Sequence, residues 1–254
     1  MKNAMPCVGL MVLGGSLSFI LAPDEQSSIE SQLAAASSAF PIVILDAGHG
    51  GKDDGARANG LVEKELTLDV AQRAEKLLQQ YGFRTVMTRA DDSFQSLPER
   101  TAVANQTENS VFISIHFNHA NGGSSTGVET FYASEKVAPE AAWNWVGFFN
   151  KPEESPSIDS GETLAGFIQA SLVMRTEATN RGIKGRPLYV VRHTRSPAVL
   201  VECGFITNPF EARMIANSEY RGRLAKSIAE GVMSYTKSRP RSGTAPRLAQ
   251  AERY

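Results

Sequence analysis

Four residues of this chain carry side chains that could do hydrolytic chemistry together: His49, Glu63, His116 and Glu202. Two neutral imidazoles and a carboxylate suit a catalytic zinc ion, which keeps a further position open for water. Zinc brings the pKa of that water down to about 7, so hydroxide is available at neutral pH. A fourth group, a carboxylate, would then serve as base toward the water. Each member also has an ordinary reading. A histidine at a strand end is commonly a hydrogen-bonding residue. Glu63 at a helix start favours the helix dipole. Glu202 is the hardest to explain as structure, because a carboxylate closing the apolar run Ala198-Val199-Leu200-Val201 is costly without a cation or donors.

Several neighbours compete for these places. His119 stands three residues past His116, and Glu65 two past Glu63. Asp46 could orient His49 or form a salt bridge. His193, between Arg192 and Thr194, reads as a loop residue facing solvent or substrate. Cys203 beside Gly204 reads as a small buried residue rather than a nucleophile. Spacing alone does not separate Glu63 from Glu65.

The elements that must position these groups follow from the pattern. Ile42-Val43-Ile44-Leu45 is a short, wholly apolar run and reads as a buried strand. It breaks into Asp46-Ala47-Gly48-His49-Gly50-Gly51, where glycine lets the chain turn sharply. Leu66, Val70, Ala74, Leu77 and Tyr81 recur at helical spacing, so a helix is expected over about 63–81, capped by Gly82. Phe83 to Met87 reads as the next strand. Ser96 and Glu99 form a capping box ahead of a short helix. Val111 to Ile115 is a buried strand running into His116, and Gly127 to Tyr132 is another. Asp159 and Glu162 suggest a second capping box, and Leu164, Phe167, Ile168, Leu172 and Val173 a buried helix face. Leu188 to Val191 and Ala198 to Val201 complete six strands. Asn208-Pro209 starts a helix, and Leu224, Ile228, Val232 and Tyr235 form the stripe of a last one. Strands alternating with helices predict a single α/β domain, with a roughly six-stranded, mostly parallel or mixed sheet flanked by helices. If the strands are parallel, His49, His116 and Glu202 emerge on one edge, and the helix that begins at Glu63 starts there too.

The flanks read differently. Lys2 followed by the apolar stretch Val8–Ala22 has the pattern of a secretory signal peptide. Pro23 makes cleavage after Ala22 unfavourable. The small residues from Ala34 to Ala39 offer a better place, and an uncleaved anchor is the alternative. Residues 1–39 are therefore expected to be leader and linker, 40–237 the catalytic domain, and 238–254 a disordered tail. Residues 134–160, with Trp143, Trp145, Phe148 and Phe149, read as a surface insertion: a lid, a substrate-contacting surface, or a loop packed on its own domain. A net charge of −1 gives no electrostatic case for nucleic acid. Beyond the leader no apolar run is long enough to span a bilayer. Cys7 and Cys203 cannot form a disulfide framework.

The stretches Leu45-Asp46-Ala47-Gly48-His49-Gly50-Gly51-Lys52-Asp53, Glu63-Lys64, Ser114-Ile115-His116-Phe117-Asn118, Gly127-Val128-Glu129-Thr130-Phe131 and Pro197 to Phe205 with Asn208-Pro209 are together highly specific. In them the chain resembles the zinc-dependent N-acetylmuramoyl-L-alanine amidases, the amidase type 3 family, from about Ile42 to Tyr235. The resemblance implies one Zn2+ held by His49, Glu63 and His116, with Glu202 catalytic and Asn118 at the substrate. It implies hydrolysis of the amide between N-acetylmuramic acid and L-alanine in peptidoglycan, in wall remodelling, cell separation or lysis. The expected location is outside the cytoplasm, periplasmic or wall-associated, with an activator protein as a further partner. Alternatives are a zinc peptidase acting on stem peptides and a wall-binding protein without catalysis. A mononucleotide-binding module is disfavoured, since the glycine-rich loop lacks a P-loop pattern.

Overall fold

The computed structural model describes residues 40–135 and 158–239. Six strands form one sheet: β1 (Ile42–Ala47), β4 (Thr85–Met87), β5 (Ser110–Asn118), β6 (Val128–Tyr132), β7 (Asn180–Gly185) and β8 (Ala198–Phe205). Their order is β4-β1-β5-β8-β6-β7. The four on the β4 side run parallel, and β6 meets β8 antiparallel. The sheet is thus mixed, as expected.

Side chains alternate along the central strands. Val43, Leu45, Val111, Ile113, Ile115, Val199 and Val201 enter the larger core. That core is closed by α1 (Glu63–Gln80), α3 (Ile158–Thr176) and α6 (Ser218–Ser238), each of four or more turns. Ile44, Phe112 and Leu200 face the other way, into a smaller cluster. Among the described residues, the short α2 (Leu97–Asn105) and α4 (Tyr189–Arg192) pack on that side. By strand alternation His116 and Glu202 continue this second row, on the face opposite the larger core.

Helix ends follow the sequence signals. Gly82 takes φ +87 after α1, and Phe83 N donates to Leu78 O at 3.0 Å. Ser96 and Glu99 form the capping box of α2. Asn208 caps α5 (Pro209–Ala216) by accepting from Phe210 N and Glu211 N. The stripe of α6 is buried.

Other expectations need correcting. Leu188–Val191 is not a strand: residues 189–192 form the one-turn α4. The sixth strand is β7, which has one apolar residue among its six. Asp159 lies inside α3 rather than ahead of it. A hairpin of β2 (Arg57–Ala58) and β3 (Leu61–Val62) precedes α1, turning on Asn59 (φ 51) and Gly60 (φ 76). Positive φ at both central residues is the type I′ geometry that Asn-Gly favours.

Because β6 runs antiparallel to β8, it carries the chain away from the edge where His49 lies. A Cβ on Gly161, early in α3, would stand 3.4 Å from Ala198 O and 3.9 Å from Tyr132 Cβ. Both roots of the expected insertion are therefore at the opposite edge of the sheet. The body of that insertion, with Trp143, Trp145, Phe148 and Phe149, lies outside the described residues, as do the expected leader with Cys7 and the tail from residue 240. Among the described residues no helix is long and apolar enough to cross a membrane.

Candidate active site

His49 follows β1 on a loop that the sheet holds closely, with Gly48 N donating to Ile115 O at 3.1 Å. The residue adopts φ 59, the left-handed region, which turns its ring back toward the sheet edge. Glu63 is the first residue of α1. No side chain caps this helix; instead Glu63 N donates to Ala56 O at 3.0 Å and Lys64 N to Asp54 O at 3.2 Å. The loop from His49 through the β2–β3 hairpin thus places the helix start directly against the histidine. Glu63 is buried and Glu65 exposed, which separates two candidates that spacing could not.

The three groups meet. His49 Nε2 lies 3.1 Å and His116 Nδ1 2.9 Å from Glu63 Oε1, with the two rings edge-on at 79°. The three ligand atoms are all within 4.8 Å of one another. Around a tetrahedral zinc with bonds near 2.0–2.1 Å, ligand atoms stand about 3.3 Å apart. The donor set and its spacing therefore fit a metal ion. His49 Nδ1 donates to Asp53 Oδ2 at 2.9 Å, the outer carboxylate that commonly orients a metal-bound imidazole. Glu63 accepts from Phe117 N at 3.1 Å and Ala56 N at 2.8 Å.

Two glycines make room for this. A Cβ on Gly48 would fall 2.4 Å from His116 Cε1, and one on Gly55 2.6 Å from His49 Cδ2 and 2.7 Å from Glu63 Oε2.

Glu202 lies directly across the β5–β8 ladder from His116, and across the β8–β6 ladder from Glu129. Both residues sit inside their strands rather than at the ends, since β5 and β8 run further than the apolar runs suggested. Glu202 Oε2 is buried with no hydrogen-bond partner among the described residues. Burial, together with the charges of Glu63 and Glu129, pushes the Glu202 carboxyl up to about 7 against the opposing pull of His116. Glu63 behaves oppositely. Burial alone would raise its pKa, but hydrogen bonds from His116 and His49 hold it well below the usual carboxylate range. Burial would lower the pKa of His49, and Glu63 and Asp53 outweigh it, leaving a net rise. Two adjacent carboxylates pushed apart in this way can take different roles.

Glu129 is held by Asn118 Nδ2 at 2.7 Å, by Arg181 Nε at 3.3 Å and by Lys184 Nζ. Asn118 Oδ1 accepts from His119 N at 2.9 Å, so its amide is engaged at both ends. His119 is outside the triad. His193 stacks on Tyr189 at 4.0 Å between ring centroids, with its Nδ1 3.0 Å from Tyr189 O. Cys203 is fully buried and burial pushes its thiol up, which suits packing rather than attack. Asp46 does not touch His49. It pairs with Arg100 Nη1 at 2.7 Å and accepts from Thr88 and Ser114 hydroxyls at 2.7 Å each.

Sequence reasoning missed Asp53, Glu129 and two buried arginines, Arg89 and Arg100. Arg100 donates to Ala47 O and His49 O at 2.7 and 2.8 Å, and Arg89 to Ala47 O and Gly48 O at 2.9 and 2.8 Å.

The sequence model of a family described as N-acetylmuramoyl-L-alanine amidase (Amidase_3) matches residues 43–234. The chain is 34% identical over 193 residues to the N-acetylmuramoyl-L-alanine amidase LytC of Bacillus subtilis strain 168, an alignment covering 76% of this chain and 35% of LytC. The fold matches the crystal structure of an N-acetylmuramoyl-L-alanine amidase from Clostridium difficile 630 with TM-score 0.68 and 33% identity, over 80% of this chain and all of that one. It also matches the CwlD amidase from Clostridioides difficile in complex with the GerS lipoprotein, with TM-score 0.66 and 26% identity, over 78% of this chain and 98% of that one.

Proposed function

The chain belongs to the amidase type 3 family and is an N-acetylmuramoyl-L-alanine amidase, and from that premise we propose that it uses one zinc ion, held by His49, Glu63 and His116, with Glu202 as its general base. The observation that carries this reading is the pairing of a metal-type triad with a carboxylate, directly across the ladder from one of its histidines, whose Oε2 is buried without a hydrogen-bond partner among the described residues. Zinc in that triad would polarise the scissile carbonyl and supply hydroxide near neutral pH. Glu202, directly across the ladder from His116, takes the proton of the attacking water and delivers it to the departing amine of L-alanine. Asp53 fixes the ring orientation of His49 throughout. Asn118 acts behind the substrate, by holding Glu129 beside Glu202. The bond broken is the amide between the lactyl group of N-acetylmuramic acid and L-alanine.

Residues 1–39 would export the protein, placing residues 40–237 in the periplasm or wall. The biological role is wall remodelling, cell separation or lysis. An activator protein is a fitting partner, given that CwlD is seen with a lipoprotein. The test is digestion of purified peptidoglycan by the zinc-loaded protein, with and without chelator, followed by mass analysis. Peptides with a free L-alanine amine and intact glycan, lost on chelation and restored by zinc, are expected. Activity indifferent to chelator would refute the zinc assignment, and cleavage within the stem peptide would refute the bond assignment.

A further inference from the structure

The three carbonyls of Ala47, Gly48 and His49 are all engaged by two buried guanidiniums, which are 3% (Arg89) and 4% (Arg100) exposed. Arg100 has Asp46 as its counter-ion. Arg89 is different. Its five hydrogen bonds go to Ala47 O (2.9 Å), Gly48 O (2.8 Å), Lys64 O (2.9 Å), Thr67 Oγ1 (3.0 Å) and Asp91 O (2.8 Å). All are neutral oxygens. A buried cation satisfied by carbonyls rather than a carboxylate is an expensive way to stabilise a fold.

The acceptors divide between two elements. Ala47 and Gly48 lead into His49. Lys64 and Thr67 belong to the first five residues of α1, which begins at Glu63. Thr67 adds a second tie between them, donating from Oγ1 to Gly48 O at 2.7 Å. The sequence also leaves room for this arginine. A Cβ on Gly50, at φ +128, would lie 2.3 Å from Ser93 O and 2.8 Å from both Arg89 Cδ and Nε, so the glycine serves the Ser93 backbone first and the arginine second. His49 itself holds a left-handed conformation, which strains a non-glycine residue and persists only when its surroundings enforce it.

We infer that Arg89 is a positioning residue: its guanidinium sets the spacing between the loop that carries His49 and the helix turn that carries Glu63, and so presets the triad for its metal. This rests on the zinc reading above. The planar fork matters, because one ammonium group cannot reach acceptors on both elements in fixed directions.

The test is a competition titration against a zinc-binding dye, using the full chain and its Arg89→Lys, Thr67→Val and Thr67→Ser variants. Circular dichroism and urea unfolding of the zinc-free proteins fix conditions in which each is fully folded. Arg89→Lys and Thr67→Val should weaken zinc binding roughly 10–100-fold, the usual loss when an outer support of a metal ligand is removed. Thr67→Ser, which keeps the hydroxyl, should stay close to the parent. Folded Arg89→Lys and Thr67→Val proteins that hold zinc as tightly as the parent would overturn the inference while leaving the zinc reading intact. If Arg89→Lys fails to fold, Thr67→Val against Thr67→Ser decides. A parent chain that holds no zinc would refute the zinc reading and this inference with it.

Discussion

Replacing Glu202 by glutamine should cut turnover by orders of magnitude and yet make the zinc-free protein more stable at alkaline pH. Burial first, then the nearby charges of Glu63 and Glu129, raises this carboxyl from an ordinary 4.5 to about 7. The folded protein therefore binds the Glu202 proton more tightly than the unfolded chain does. That advantage is fully present below pH 4.5 and is lost as the pH rises through 7. At about 1.4 kcal/mol per pKa unit, the displacement is worth roughly 3 kcal/mol. Glutamine carries no proton to lose, so Glu202→Gln should gain that amount on the parent between pH 4 and pH 8. Urea unfolding of both proteins in chelator across that range measures it. The change in their difference is the informative quantity, because a lost or gained amide hydrogen bond adds an offset that does not vary with pH. A difference flat to within about 1 kcal/mol would show that Glu202 is not held in the disfavoured, desolvated state described above, and would count against the base role proposed for it. In the same variant zinc content should be normal, while turnover falls by about 10²–10⁴, the usual worth of a general base. Retained amide hydrolysis would defeat the catalytic assignment independently.

Gly48→Ala should drive the His116 ring out of place, since the new methyl would fall 2.4 Å from Cε1. A stability loss of about 1–3 kcal/mol is expected from such overpacking, with zinc lost on dialysis; full zinc content after dialysis would contradict it. Asp53→Ala frees the His49 ring and should lower zinc affinity about tenfold with little change in unfolding, read by the same dye competition. Glu211 accepts from Gly127 N at 2.6 Å and Phe205 N at 2.7 Å, joining α5 to the ends of β6 and β8. Glu211→Ala leaves two buried donors unpaired and should cost about 2–3 kcal/mol or more, and a urea midpoint unchanged from the parent would refute that role.

What the sequence made legible was whatever depends on neighbours along the chain. The apolar runs of β1, β5 and β8 identified the central strands, and the capping box at Ser96 and the cap at Asn208 marked helix starts. Where a segment is shaped by a distant partner, the local signal fails. The residues of β7 include two glycines, an arginine and a lysine. It is a strand because it pairs along β6 at the sheet edge, where charged residues are common. Leu188–Val191 shows the converse: four apolar residues in a row cannot separate strand from helix. The Asn59-Gly60 hairpin did have a recognisable signal, and it is the hairpin that brings Glu63 to His49. Arg89 and Arg100 had none. Buried cations and solvent-exposed ones look alike in a sequence, and their acceptors are backbone carbonyls, which every residue has.

The placement of those cations bears on how the triad stays available. Glu63 is a buried carboxylate one residue from Lys64, whose carbonyl accepts from Arg89, and a guanidinium that reached Glu63 would compete with a metal for it. The structure prevents this by giving each cation other partners. Arg100 is taken by Asp46 and the carbonyls of Ala47 and His49. Arg89 is taken by carbonyls and one hydroxyl, whose directions are fixed by the loop and by α1. On the other flank Arg181 and Lys184 are taken by Glu129, which stands between them and Glu202. Positive charge thus stands around the site on other partners, and among the described residues Glu63 is bonded to groups that a metal can displace or tolerate: two imidazoles and two backbone amides. The backbone amides hold the carboxylate in place without neutralising it. A dication entering between His49, Glu63 and His116 then meets a negative, oriented ligand set, and the orientation is the part that Arg89 and Thr67 supply.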